Sequence, residues 1–217
     1  MRGSVIMGEV SVQGVRFSYE IAGDGFPLVL TPGPQGVWTL YIPLLAELCR
    51  VISYTCYMLE ETPQRETPLT SAHTADMLGT FLDGLGLERV YLASQAVSWP
   101  MALHCALRYP ERLEGLVLMG AQDVEMHVVR GLMALEARLH EITVPTCVLI
   151  EARVLASLSY AEVLTERLPR CTRVVVSDST PSPPSGVPAL QLGHSMMRFL
   201  LHCERQRNLV RGASFLL

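Results

Sequence analysis

The chain has 217 residues, the length of one domain, and 49% of them are hydrophobic, which is enough to bury a large core. Its formal net charge is −4 and no basic cluster occurs, which argues against a nucleic-acid partner. No apolar segment is long enough to cross a bilayer and no signal-peptide pattern opens the chain, so we expect a cytoplasmic protein without a membrane partner.

The six cysteines occur singly inside apolar segments, and no C-x-x-C pair is present. Cysteines in this pattern are typically buried small hydrophobes, whereas metal and redox sites use closely spaced groups. We therefore expect no metal ion and no other cofactor.

The first third of the chain predicts a hairpin followed by alternating strands and helices. Val10 to Ala22 alternates apolar and polar residues around Gln13-Gly14, which indicates an antiparallel hairpin. Further along, we expect strands at 27–30 and 50–54, a helix at 43–48 and an amphipathic helix at 70–87. His73, near the start of the last helix, is a single imidazole without an obvious partner, and we interpret it as structural.

The most informative stretch runs from Arg89 to Leu118. A buried strand is expected at 90–93, and it breaks into Ser94-Gln95-Ala96-Val97-Ser98 before helical spacing resumes at Met101. A second buried strand follows at 116–119. Two strands joined through such a helix form a parallel, right-handed βαβ unit. The sequence therefore predicts a strand, a sharp turn and a helix.

This stretch resembles the nucleophile-elbow region of the α/β-hydrolase superfamily, where the turn reads G-x-S-x-G. The resemblance implies an α/β fold with a mostly parallel central sheet and helices on both faces. Aligned without gaps on Arg-Tyr-Pro-Glu-Arg at 108–112, the nucleophile position falls on Ala96, and the flanking glycines fall on Ser94 and Ser98. A methyl group cannot attack a carbonyl and has no proton for a base to remove.

The other functional positions implied by the resemblance are also substituted. The residue that gives a backbone N–H to the oxyanion falls on Pro34, which has none; a shift of one residue would make Gly33 the donor. The acid of the triad falls on Val154 and its histidine on Ser182. Because nucleophile, acid, base and oxyanion donor are all affected, we expect no Ser-His-Asp hydrolysis.

Where the family commonly inserts a cap of several helices, this chain has only 122–141 between two predicted strands. Apolar residues at helical spacing predict one helix in this residual cap. It either roofs the pocket, packs on its own core or buries its apolar face in a homodimer through Val124 to Leu139. Strands at 147–150 and 173–176, a helix at 160–168 and a last helix ending near Phe199-Leu200 would complete a single domain, 1–217.

Three functions fit these observations. The first is a non-hydrolytic enzyme of the cyclase or isomerase type, including pericyclic reactions, which binds an apolar small molecule and serves natural-product, polyketide-like biosynthesis; its precedent is analogy within the superfamily. The second is a catalytically dead binding or scaffold protein. The third is a hydrolase with relocated catalytic residues, Asp123, His127 or His194. For the pocket that binds the substrate we expect these residues: Gly33, Pro34, Gln95, Ala96, Val97, Asp123, Val154 and Ser182.

Overall fold

The computed structural model describes residues 5–33, 36–58, 70–120, 126–152, 155–176 and 187–214. The strands in these segments are β1 (Ile6–Val12), β2 (Val15–Ala22), β3 (Phe26–Leu30), β4 (Cys49–Met58), β5 (Val90–Gln95), β6 (Leu113–Gly120), β7 (Thr146–Glu151) and β8 (Cys171–Val176). The α-helices are α1 (Ile42–Leu45), α2 (Ser71–Gly84), α3 (Trp99–Arg108), α4 (Met126–Leu135), α5 (Leu155–Arg167) and α6 (Val187–Ser214).

The strands of the described segments form one sheet in the order β1-β2-β4-β3-β5-β6-β7-β8. β1 pairs with β2, and β2 with β4, in antiparallel orientation. The pairs from β4–β3 onward in this order, through β3–β5 to β7–β8, are parallel. The predicted hairpin is confirmed: Gln13 and Gly14 connect β1 to β2 with φ of 51° and 78°, the left-handed values that a tight hairpin turn requires.

Helices cover both faces of the sheet. Buried side chains of α2, α3, α4 and α5 form one core against the sheet, and those of α1 and α6 form a second core on the opposite face. All six residues of β5 are buried, as expected for a central parallel strand covered on both sides. The predicted mostly parallel α/β architecture is therefore confirmed.

Several elements are longer than the sequence pattern predicted. β4 continues to Met58 because it pairs with β2 from Val51, opposite Ala22, as far as Met58, opposite Val15. α6 does not end near Phe199-Leu200 but continues to Ser214, since no proline interrupts the residues that follow. Among the helices that the structure describes, none combines the length and the apolar composition that a bilayer crossing requires.

The helix predicted in the reduced cap segment is present as α4, followed by a 3₁₀ turn at Glu136–Glu141. Its apolar side chains Val128, Leu132 and Leu135 are buried in the core that α2 and α3 share. α4 and α3 also lie close together: a Cβ added to Gly131 would stand 2.9 Å from the Pro100 ring, so only glycine fits here without a shift. Met133 is 64% exposed. The homodimer through Val124 to Leu139 stays a prediction, and it would have to form without the side chains that α4 buries in its own core.

Candidate functional site

The predicted strand, turn and helix are confirmed at the carboxyl end of β5. A 3₁₀ turn, Ala96–Ser98, follows Gln95 directly and leads into α3 at Trp99. Pro100 lies in the first turn of α3, where its missing N–H costs no helical hydrogen bond. We call the turn and its flanking residues, 94–99, the elbow.

Hydrogen bonds hold the loop that follows β3 against the elbow. The backbone N–H of Thr31 donates to the Ala93 carbonyl at 2.9 Å, and the Ser98 hydroxyl donates to the Pro32 carbonyl at 2.8 Å. On the other side, the Trp38 indole N–H donates to the Thr31 carbonyl at 2.9 Å. The loop therefore has a fixed position beside the turn as far as Gly33; residues 34 and 35 lie outside the described segments.

Ala96, the first residue of the turn, is only 2% exposed and packs into the core beneath α2 and α3. It occupies the place where the strand turns into the helix, and its side chain is a methyl group. The residue at the tip of the elbow therefore supplies neither a hydroxyl nor a thiol for covalent chemistry.

A cavity of about 550 Å³ lies beside the elbow, between β4, α2, α3 and α4. Val97, which is 37% exposed, faces into it, whereas the buried Ala96 does not line it. We call this space the elbow cavity. Its described lining consists of Pro32, Tyr54, Cys56, Thr70, Ser71, Thr74, Met77, Val97, Ser98, Pro100, Met101 and Gly131.

The hydroxyl groups around the elbow cavity are largely used within the chain. Thr74 donates its hydroxyl proton to the Ser71 carbonyl at 3.0 Å, and Ser98 donates to Pro32 as described above. Thr70 caps α2, because its Oγ1 accepts the backbone N–H of His73 at 3.3 Å and lies 2.9 Å from the ring Nδ1. This contact agrees with the structural role predicted for His73. The cavity wall therefore offers a ligand mostly apolar contact.

The cysteines near the elbow cavity are protonated thiols. Burial raises the pKa of Cys56, which lines the cavity, and burial raises the pKa of the neighbouring Cys105 to about 12. Since the thiolate is the nucleophilic form, neither side chain is activated at neutral pH. All six cysteines are free; Cys56 and Cys171 are half-buried and the other four are buried, as their apolar surroundings predicted.

Only part of the predicted binding set falls in the described segments. Gly33, Gln95, Ala96 and Val97 all lie at the elbow or on the loop beside it. Four further positions lie outside the described residues: Pro34, Asp123, Val154 and Ser182. None of the predicted positions apart from Val97 lines the described part of the elbow cavity.

The structure describes the two histidines of the predicted relocated catalytic set to different extents. His127 lies in the first turn of α4, and its side chain is not among those described. His194 is exposed on α6, and its ring Nδ1 lies 2.8 Å from the Leu190 carbonyl of the same helix. The His194 ring is thus bonded to its own helix. Among the described residues no group of three His, Cys, Asp or Glu side chains could hold a metal ion.

Sequence reasoning missed most of the cavity lining. One signal was available: Thr70, Thr74 and Met77 follow the three- to four-residue spacing of one helix face, and all three line the cavity. The remaining lining residues come from strands and helices far apart in sequence, and only the folded sheet brings them together.

Comparison with known proteins finds hydrolases of similar sequence. The chain is 32% identical over 137 residues to a 2-hydroxymuconate semialdehyde hydrolase from Pseudomonas sp. strain CF600, a match that covers 58% of this chain. The chain spans about half of that relative, 47% of its length. No family model matches the chain.

Solved structures of similar fold cover nearly the whole chain. A meta-cleavage product hydrolase, the CumD A129V mutant, has a TM-score of 0.69 at 16% identity, covering 91% of this chain and 98% of that one. The haloalkane dehalogenase DbeA from Bradyrhizobium elkani USDA94 has a TM-score of 0.67 at 16% identity, with coverages of 94% and 100%. At this identity the likeness concerns the fold. The fold is that of the α/β-hydrolase superfamily.

Cys56 gives a direct test of the cavity's environment. Because burial raises its pKa, alkylation by iodoacetamide should be slow at neutral pH and should accelerate at a higher pH than for a free cysteine, whose pKa is about 8.5. Peptide mass spectrometry across a pH series measures this rate, and Cys56→Ser identifies the labelled site. The same thiol in urea-unfolded protein serves as the control. Equal pH profiles in folded and unfolded protein would contradict the buried environment.

Proposed function

We propose that this chain is a non-hydrolytic member of its superfamily that binds an apolar small molecule in the elbow cavity. The observation that carries the proposal is Ala96 at the turn between β5 and α3. Acyl transfer at this position requires an oxygen or sulfur nucleophile, and alanine has neither. The fold supports a pocket at this edge of the sheet, while the alanine at the turn beside it argues against hydrolysis.

The size and surface of the elbow cavity support a small-molecule ligand. Its volume of about 550 Å³ lies within the range of known ligand pockets, roughly 300–1,000 Å³. Met77, Met101 and Pro100 give it apolar walls, and methionine side chains adapt readily to the shape of a ligand. The hydroxyls of Thr74 and Ser98 already donate hydrogen bonds within the chain, so they do not require polar groups on the ligand.

A site of this kind favours reactions that depend on the conformation of the substrate. Holding a flexible molecule in its reactive conformer can lower a barrier by several kcal/mol without a covalent intermediate. Cyclisation and isomerisation of an apolar substrate are reactions of this type, and natural-product assembly is where we expect them. The relative from Pseudomonas is named a hydrolase, but that name describes a protein about twice as long as the matched region.

A binding or scaffold protein without catalysis is the second candidate. It is favoured by the protonated Cys56 thiol and the bonded hydroxyls, because these leave few described groups around the cavity for exchanging protons with a ligand. For the relocated hydrolase, the third hypothesis, the described residues give one observation: the His194 ring Nδ1 contacts the Leu190 carbonyl of its own helix.

Ester hydrolysis tests the absence of a nucleophile. We expect no turnover of p-nitrophenyl acetate or butyrate above the buffer rate. Ala96→Ser should not create it, because a serine lacking its partners in the triad is slower by roughly 10⁴-fold or more. Release of p-nitrophenol by an independently purified sample is the measurement. Turnover that persists through purification, and is lost in Asp123→Asn or His194→Gln, would support the relocated hydrolase instead.

Filling the elbow cavity tests the binding proposal. Val97→Trp should weaken binding of an apolar probe, 2-methylnaphthalene, by about tenfold or more, because the indole would occupy the space at the cavity wall. Ala96→Trp is a poorer test, since overpacking a residue that is 2% exposed would disturb the core.

The matched control is Val175→Trp, which places the same side chain on an exposed valine of β8, away from the cavity lining. Isothermal titration calorimetry reports both affinities, and circular dichroism reports folding. Equal affinities in the two folded variants would mean that the probe does not bind in the elbow cavity.

A further inference from the structure

A second cavity lies at the opposite edge of the sheet from the elbow, where the parallel strands begin. Its volume of about 760 Å³ lies within the range of known ligand pockets, roughly 300–1,000 Å³. Arg89 precedes β5, Glu114 lies at the start of β6, Pro145 precedes β7 and Arg170 precedes β8, and all four line this cavity. We call it the amino-edge cavity. The function proposed for the elbow cavity makes no use of it.

Backbone hydrogen bonds hold one wall of the amino-edge cavity in place. The Leu116 N–H donates to the Pro145 carbonyl at 2.9 Å, and the Thr146 N–H donates to the Arg170 carbonyl at 2.8 Å. Because these bonds join the residues that precede β7 and β8 to the sheet itself, the backbone of Arg170 has a fixed position at the cavity wall.

Two of the three arginines that line the cavity are paired with carboxylates. The Arg89 Nε lies 3.1 Å from the Glu114 Oε1, and the Arg207 Nη1 lies 3.6 Å from the same oxygen. Arg207 also pairs with Glu204, whose Oε2 lies 2.7 Å from the Arg207 Nη2. An anion placed on Arg89 or Arg207 would therefore meet the Glu114 carboxylate, which repels it.

Arg170, the third arginine of the cavity, has no such partner. Among the described residues its guanidinium forms no ion pair, and its Nη1 donates one long hydrogen bond, 3.4 Å, to the Thr143 carbonyl. The three arginines outnumber the two carboxylates that pair with them, so one positive charge in this group is uncompensated. Arg170 is also exposed, so a ligand in the cavity has access to it.

Apolar surface lies in the same cavity and is open to a ligand. Phe199 lines the cavity and is half-buried, and Pro110 and Pro169 line it and are exposed. A molecule that fills the cavity therefore meets apolar groups beside a single uncompensated cation. The ligand that complements this surface has an apolar body and one anionic group.

We propose that the amino-edge cavity binds an organic carboxylate. Arg170 holds the carboxylate, because a guanidinium presents its N–H groups as a planar fork that matches the two carboxylate oxygens. Among the described residues only one of its N–H groups has an acceptor, which leaves the others for the ligand. The apolar body packs against Phe199 and the two prolines. This site is separate from the elbow cavity and does not depend on the function proposed there.

A matched pair of probes, trans-cinnamate and trans-cinnamamide, tests the proposal. The two molecules share one body and differ in a carboxylate or a neutral amide. By isothermal titration calorimetry at low salt, cinnamate should bind the unchanged protein about tenfold more tightly than cinnamamide. Raising NaCl from about 50 mM to about 500 mM should reduce this preference, because salt screens an exposed charge. Equal affinities at low salt, or no binding of cinnamate, would overturn the proposal.

Arg170→Gln removes the charge and keeps a polar side chain, and it should abolish the preference for cinnamate. The matched control is Arg205→Gln, which removes an exposed arginine of α6 outside the cavity lining and should keep the preference. Circular dichroism confirms that both variants are folded. A preference for cinnamate that survives in Arg170→Gln would show that Arg170 does not hold the carboxylate and would contradict the proposal.

A second variant, Thr172→Trp, tests the location of the site. Thr172 is an exposed residue of β8 that lines the cavity, so an indole there should weaken cinnamate binding by about tenfold. Val175→Trp, on the same strand outside the lining, should leave the affinity unchanged, and so should Val97→Trp in the elbow cavity. Loss of the cinnamate preference in Val97→Trp alone would place the probe in the elbow cavity and overturn this proposal.

Discussion

The parallel pairing of β3 with β5 determines where the site can be. Leu30 lies opposite Ala93, so the residues that follow the two strands leave the same edge of the sheet side by side. The hydrogen bonds from Thr31 to Ala93 and from Ser98 to Pro32 then fix the β3 loop against the elbow. Both the elbow cavity and the contact between Gly33 and Gln95 depend on these hydrogen bonds. Pro32 lines the elbow cavity, and Gly33 lies against Gln95.

The elbow joins β5 to α3 through a tight turn whose first residue, Ala96, carries no reactive group. Ser94 and Ala96 are small enough for the tight passage from strand to helix, and Ala96 contributes its methyl group to the core. Sheet pairing and helix packing stabilise the turn, so it forms without a functional side chain at Ala96. The solved hydrolase and dehalogenase structures show the fold of the chain and nothing further.

Much of the fold could be predicted from local pattern. The hairpin at Gln13-Gly14 and the passage from β5 to α3 have strong signals in residue type and apolar spacing. The full length of β4 could not be predicted, because its last residues are strand only by pairing with β2. The lining of the cavity was even harder to predict, because Tyr54, Met77 and Gly131 come together only after the helices pack on the sheet. Gln95 was expected at the site, but its burial to 1% exposure depends on neighbours that local sequence does not specify.

The central claim is that the elbow carries no reactive nucleophile, and a covalent serine probe tests it most directly. Intact-mass spectrometry of the chain after incubation with excess fluorophosphonate reports whether any hydroxyl is activated for attack at phosphorus. Alanine at the turn predicts an unchanged mass, with the Ser98 hydroxyl engaged by the Pro32 carbonyl. A stoichiometric adduct that peptide mapping assigns to Ser94, Ser98 or Ser182 would show an activated serine and would contradict the non-hydrolytic account.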